Sequence, residues 1–469
     1  MNIPLPPPIP PPLRVAIIGA GWAGMAAAVH AVQAGHQVTV FEAARTLGGR
    51  ARAVPLTLPD GREVEVDNGQ HILIGAYNHC LQLMRQVGID PTSALLRLPL
   101  ALTYPDGNGL ALPDWPAPLD ALAGIALARG WHWPDKWALL RAAAGWHRAG
   151  FTCDERASVA DLCTRLTPRL RDEFIEPLCI SALNTPTTHA SGQVFLRVLR
   201  DALFSQRGGS NLLLPRTHLS ALLPAPAAQW LTARGTKIRT GQRVNALRWH
   251  APHWHVQLQA PPQESPEQSQ AFDRVILATS APHAVQLLTP SAQDAPPTIA
   301  SALHAWCHSA RQLAHRAITT VYAQVSPIAA DAPPLRPPML RAPMLALRAS
   351  THAPAQFVFE RDAITPSAHP TRMLAFVISD SASVCEGNRA ALQAAIAAQA
   401  RQQLNLAITP LRTITEKRAT FACTTALTRP ATRITAGLLA AGDYISGPYP
   451  ATLEGAVRSG QQAAHLLTA

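Results

Sequence analysis

The run Gly19-Ala20-Gly21-Trp22-Ala23-Gly24 constrains this chain more than any other. It stands between a short apolar run, Leu13–Ile18, and an alanine-rich stretch that ends at Gly35. A second apolar run follows and closes at Glu42. The order predicts strand, glycine turn, helix, strand and acid. Gly19 permits the tight turn, Gly21 admits a pyrophosphate close to the backbone, and Gly24 lets helix and strand pack closely. The pyrophosphate then sits on the N-terminus of the helix that begins at Met25, where free N–H groups favour negative charge, with Trp22 and Ala23 of the turn among the expected cofactor contacts. Glu42 is placed to bind ribose hydroxyls. An acid there favours an adenosine ribose without a 2′-phosphate, so NAD or FAD over NADP.

Composition removes several classes. The chain has 469 residues, 48% of them hydrophobic and 15% charged, enough apolar material for a large core. No run of about 18 apolar residues is present, so no membrane-spanning helix is expected. The opening MNIPLPPPIPPPLR lacks a charged start followed by an apolar block and reads as a proline-rich arm, residues 1–12. Seven scattered cysteines, none in a CxxC pair, suggest neither a disulfide framework nor a metal site, and fit a cytoplasmic protein. The net charge is +11, carried almost wholly by arginine, since Lys136, Lys237 and Lys417 are the three lysines. Such a balance points to an anionic partner. The arginines form no basic block and no nucleic-acid module is present, so no nucleic-acid role is expected.

Six residues after Glu42 the chain reads Gly48-Gly49-Arg50. Two glycines allow close backbone approach, and a guanidinium suits phosphate. Near the other end come Gly442-Asp443 and Tyr449-Pro450-Ala451-Thr452-Leu453-Glu454-Gly455. With these motifs the sequence resembles the flavin amine oxidase and phytoene desaturase superfamily. The resemblance implies FAD, with Gly49 and Arg50 at the pyrophosphate and Val244 beside the adenine. It implies Gly442 and Asp443 at the ribitol chain, and Glu454 in a helix pointing its positive end at the flavin. The fold class it implies is α/β: a Rossmann-like FAD-binding domain interleaved with an α+β substrate domain. The FAD part is expected at 13–80, 236–285 and 425–469, and the substrate part at 81–235 and 286–424. The segments 251–270 and 325–343 read as a hairpin loop and an exposed connector.

Three further segments narrow the resemblance: Val66–Tyr77 (VDNGQHILIGAY), Phe174–Pro186 and Gln193–Asp201. Together they are similar to the hydroxysqualene dehydroxylase family, over roughly residues 13–469. That likeness implies reduction of hydroxysqualene to squalene with loss of water, in hopanoid precursor synthesis. The partner implied is an apolar C30 isoprenoid; the electron donor is left open. The candidate acids are His71, in the segment that passes near the flavin in relatives, and Glu360, on an alternating strand. Lys417 reads as a strand-surface residue. Trp131, Trp133, Trp137 and Trp146, with Arg129, Arg141 and Arg148, form a second feature, a patch for peripheral contact with the inner face of the cytoplasmic membrane. The competing readings are a carotenoid or squalene desaturase, a flavin amine oxidase, and a non-catalytic lipid-binding protein.

Overall fold

The structure is a computed structural model and describes residues 11–204, 206–259, 269–326, 338–382 and 388–468. Most of the proline-rich arm and much of the 325–343 connector lie outside these. In chain order the elements that matter are β1 (Arg14–Ile18), α1 (Trp22–Gln33), β2 (Gln37–Glu42), α2 (Asn78–Gln86), α3 (Leu119–Leu127), α4 (Trp133–Arg148), α5 (Glu176–Leu183) and α6 (Gly192–Leu203). Then come β3 (Lys237–Thr240), β4 (Val244–His250), β5 (His253–Leu258), β6 (Ser269–Phe272), β7 (Arg274–Leu277), β8 (His315–Ser326), β9 (Met344–Ala346), β10 (Phe357–Glu360), β11 (Met373–Ile378), β12 (Ala407–Phe421), β13 (Arg433–Thr435), β14 (Leu438–Ala440) and α7 (Leu453–His465).

A six-stranded sheet has the order β3-β2-β1-β7-β14-β13. All its pairings are parallel except β13 with β14. Its strands come from three distant parts of the chain. β1 is buried from Val15 to Ile18, which is why it reads as an unbroken apolar run rather than an alternating one. A second, antiparallel sheet runs β9-β10-β11-β8-β12. β4, β5 and β6 form a small meander that returns the chain to β7. The loop expected at 251–270 therefore contains a strand, β5, which pairs with both neighbours.

α1 is alanine-rich because it is packed on both sides. A Cβ on Gly24 would lie 1.9 Å from the Gly19 carbonyl oxygen. A Cβ on Gly460, in α7, would lie 2.2 Å from the Ala23 carbonyl oxygen. The first and last helices thus meet backbone to backbone. α3 to α6 pack around a large apolar core. Trp131 is buried there and meets Phe174 edge-on at 5.4 Å, and Trp146 is partly buried against the same core. Only Trp133 and Trp137 of the four-tryptophan patch are exposed. Among the described residues, no helix is long and apolar enough to cross a membrane.

Two glycine substitutions should therefore move stability in opposite directions. Gly460→Ala overpacks the α1–α7 contact and is expected to cost about 1–3 kcal/mol. Gly145→Ala, in α4 with nothing within 4 Å of its added Cβ, is expected to add up to ~1 kcal/mol through helix propensity. Thermal unfolding of the two variants beside the wild type checks both signs.

Candidate active site

The glycine turn is built as its spacing requires. Gly19 has φ +109°, and a Cβ there would lie 2.5 Å from the Ala278 carbonyl oxygen. Gly21 differs: its φ is −75°, and an added Cβ would point into open space, 4.0 Å from Gly49 Cα. Gly49, at φ +61°, faces Gly21 from the other side. The two glycines leave a slot between them where side chains would otherwise stand. Glu42 accepts from the Ala20 N–H at 2.7 Å and the Ala44 N–H at 2.8 Å. A carboxylate has about four acceptor sites, so capacity for ribose hydroxyls remains. The Trp22 indole N–H donates to the Ala51 carbonyl at 3.2 Å and fastens the Gly48–Arg50 loop to α1.

The two ends of the chain meet at Arg50. Its guanidinium lies 2.5 Å from Asp443 Oδ1 and donates to the Ala419 carbonyl at 2.7 Å. Arg50 is thus held by Asp443 and β12. The Gly442 N–H donates to Ser459 Oγ at 2.9 Å. After Asp443 the chain passes through two non-glycine residues in the left-handed region, Tyr449 at φ 59° and Ala451 at φ 58°. Such strain persists only where the surroundings enforce it. Here the Ala451 N–H donates to the Asp443 carbonyl at 3.0 Å and Thr452 caps α7 through Gly455 N–H at 3.0 Å. The first turn of α7 thereby lines a cavity with Thr452, Leu453 and Ala456, presenting a positive helix end.

That cavity, about 1460 Å³, collects most of the residues picked from sequence. Gly19, Gly21, Trp22, Ala23, Glu42, Gly49, Arg50, His71, Val244, Gly442 and Asp443 all line it. Gly24 stands behind the turn as a packing residue. Glu454 does not line the cavity. It is fully buried, and its carboxylate accepts from the His79 N–H at 3.1 Å, the Cys80 N–H at 2.9 Å and Arg458 Nε at 2.7 Å. It caps α2 from α7, and so positions the helix rather than touching a ligand. Glu360 is also elsewhere. Phe357 and Phe359 face the cavity from β10, so strand alternation turns Glu360 to the far side. There it accepts from the Met339 N–H at 2.8 Å and the Leu340 N–H at 2.7 Å.

His71 reaches the cavity in a different chemical state from the one expected of an acid. Its Nδ1 lies 2.6 Å from the Gly69 carbonyl oxygen, which can only accept, so Nδ1 carries the proton. Burial lowers its pKa, and Arg50 lowers it further, against the opposing hydrogen bond to Gly69. A neutral imidazole with an accepting Nε2 results. Lys417 is exposed yet lines the cavity rim. Sequence reasoning passed over Glu416 and gave no role to Asn184 or Tyr449, all three of which line it. Asn184 is a left-handed helix end at φ 47°; its amide donates to Thr420 Oγ1 at 2.9 Å and its oxygen accepts from the Asp380 N–H at 2.7 Å. An Asn two residues before the end of the LNTP run, just after an apolar helix, was the available signal.

Beyond the glycines the cavity changes character. Among the described residues lining it between positions 100 and 212, no side chain is charged; the polar ones are Ser181, Asn184 and Ser210. The rest are aliphatic and aromatic, from α3 to α6 and their flanks, and Ile318, Met344 and Val377 continue the surface from the second sheet.

A glycine slot with no Cβ, an acid on the neighbouring strand, a bound guanidinium and a helix N-terminus at one end of a long cavity fit a dinucleotide. Its site opens onto an apolar chamber, the arrangement of a flavin-dependent oxidoreductase. Residues 22–468 match the family of flavin containing amine oxidoreductases, and the chain belongs to that family. Its cofactor is FAD. Hydroxysqualene dehydroxylase of Rhodopseudomonas palustris is 27% identical, the match covering 97% of this chain and 98% of that protein. Zeta-carotene desaturase of Capsicum annuum is 39% identical, but over 17% of this chain and 13% of its own. Among solved structures, an oxidoreductase from Methanosarcina mazei superposes with a TM-score of 0.72 at 14% identity, covering 97% of this chain and all of that one. Cyclohexylamine oxidase from Brevibacterium oxydans gives 0.60 at 17% identity, covering 97% and 99%. These last two likenesses speak to the fold.

Two measurements follow from this geometry. Valine fits the backbone angles of Gly21 but fills the slot, so Gly21→Val is expected to fold with wild-type circular dichroism and to purify without flavin absorbance. Asp67 stands just before the cavity-lining segment 68–71, and burial raises its pKa from 3.8 to about 7, against the Leu219 N–H that favours its charge. The folded state then holds more protons than the unfolded state between those values, so stability falls as pH rises from about 4 to about 7. Asp67→Asn keeps an acceptor for the Leu219 N–H at 2.7 Å, and its denaturation midpoint should fall less over the same window.

Proposed function

We propose that this chain reduces hydroxysqualene to squalene, with loss of the hydroxyl as water. The observation that carries this reading is the uncharged lining of the cavity beyond the glycine slot. An amine substrate brings an ammonium group, and burying that charge without a partner is costly. A C30 polyprene alcohol brings one neutral hydroxyl and otherwise apolar surface, and each buried methylene is worth about 0.8 kcal/mol. The full-length likeness to a hydroxysqualene dehydroxylase points the same way.

Gly21, Gly49, Glu42, Arg50 and Asp443 would hold FAD, which in its reduced form would supply a hydride together with the proton that leaves with the hydroxyl as water. The remaining tasks fall to the protein. The hydroxyl sits on an allylic carbon, so positive charge left by its departure spreads over the neighbouring double bond. Leucine and phenylalanine walls exclude the bulk water that would recapture that carbon. His71 Nε2 accepts a hydrogen bond from the substrate hydroxyl and orients it. The expected catalytic role of His71 thus becomes holding rather than proton donation. The strained Asp443–Thr452 loop keeps Asp443 and the α7 N-terminus at fixed positions around the cofactor.

Photoreduced enzyme, mixed with hydroxysqualene without oxygen, should form squalene while the flavin reoxidises. Reduced flavin and no squalene would sink the proposal and leave a desaturase as the better reading. His71→Gln should keep its flavin and lose about tenfold in turnover, the worth of one hydrogen bond.

A further inference from the structure

The large apolar side chains exposed among the described residues are Trp115, Leu119, Leu122, Leu127, Trp133 and Trp137. All of them fall between residues 115 and 137, on α3, α4 and the turn before them. Exposed apolar side chains gathered on one helical hairpin are the mark of an interaction site. The opposite faces of the same helices line the cavity, through Ala121 and Ile125 on α3 and Leu139, Ala143 and Trp146 on α4. Each helix is therefore apolar on two sides: one towards the chamber, one towards the outside.

The outer stripe of α4 has an order. It reads Trp133, Trp137, Arg141 and Arg148, at steps of four, four and seven residues. At 1.5 Å per residue, Trp137 stands about 6 Å and Arg141 about 12 Å along the axis from Trp133. With its N-terminal end tilted into the interface, where apolar groups bury roughly 5–10 Å deep, α4 would sink both tryptophans and leave its arginines at the headgroups. The charge around the patch is predominantly positive. Arg129, Arg141 and Arg148 are exposed, and Lys136 ties α4 to α3 by donating to the Ala126 carbonyl at 2.6 Å. Of the acids between 114 and 148, Asp120 and Asp135 are buried, which leaves Asp114 outside. A second copy of the chain would bring these arginines against one another. An anionic bilayer would not.

We infer that the α3–α4 hairpin docks on an anionic lipid bilayer and that the substrate reaches the cavity from the acyl layer between these two helices. The route for substrate rests on the polyprene reading above; the docking does not. The arginine excess of the whole chain, +11 in net charge, acts in the same direction by attracting anionic headgroups.

The test uses the holoenzyme and phosphatidylcholine vesicles with and without phosphatidylglycerol. Wild type should sediment with the anionic vesicles, and high salt should release it. Leu127→Gln/Trp133→Gln/Trp137→Gln should remain in the supernatant, with flavin content and circular dichroism unchanged. Arg141→Gln should weaken binding roughly fivefold. The triple variant should turn over hydroxysqualene in detergent micelles as wild type does, and more slowly when the substrate is in vesicles. If wild type binds vesicles but turns over nothing, the docking stands and the substrate reading fails. Equal sedimentation of wild type and triple variant overturns the docking. So does a wild type that stays off vesicles but forms a dimer that the triple variant cannot.

Discussion

The close approach of α1 to its neighbours is the constraint on which the rest depends. On one side Gly24 meets the Gly19 carbonyl; on the other, Gly460 of α7 meets the Ala23 carbonyl. A side chain larger than hydrogen at either place would push the helices off the sheet. With α1 fixed, its N-terminus faces the Gly21–Gly49 slot, and α7 lies alongside with its own N-terminus aimed at the same cavity. Packing and cofactor recognition are here one arrangement. Asp443 and Arg50 sit 393 residues apart in sequence, yet lie 2.5 Å apart because α1 and α7 hold the two chain ends together.

The second sheet and helices α3 to α6 add what the dinucleotide fold cannot supply, an apolar chamber. Its walls come from alternate residues of β10, from inward faces of α4 to α6, and from Asn184, which links the end of α5 to β12. Nothing charged intrudes between positions 100 and 212 of the described lining. Charge is confined to the glycine end and rim, where Arg50, Asp443, Glu42, Glu416 and Lys417 stand. That separation suits a reaction in which the one polar group of an oily molecule is brought to the charged end of the cavity.

What could be read from sequence was what backbone geometry forces on residue type. The glycine turn, Glu42 and the Gly48–Arg50 loop were legible because few residues can occupy those places. The six-stranded sheet was legible in outline because its strands are unbroken apolar runs. The partners of Glu454 and Glu360 stayed hidden for one shared reason, and Glu360 was misplaced by it. Their partners are backbone N–H groups distant in the chain, on α2 and at Met339 and Leu340, and no spacing rule reveals such pairs. His71 was placed in the cavity, but its protonation depends on the Gly69 carbonyl and on Arg50, which only the folded loop brings near. Strand β5 escaped notice because prolines and polar residues surround it, and pairing with β4 and β6 outweighs them. The tryptophans divided by helix face: Trp131 and Trp146 turned inward, Trp133 and Trp137 outward.

The central claim is that one cavity holds FAD at its glycine end and an uncharged polyprene at the other. Titrating the oxidised holoenzyme with squalene in micelles, and separately with a diamine, while recording the visible flavin spectrum, tests it most directly. Squalene should shift the flavin bands to saturation and the diamine should leave them unchanged. A saturable shift or bleaching by the diamine, with none from squalene, would contradict the account.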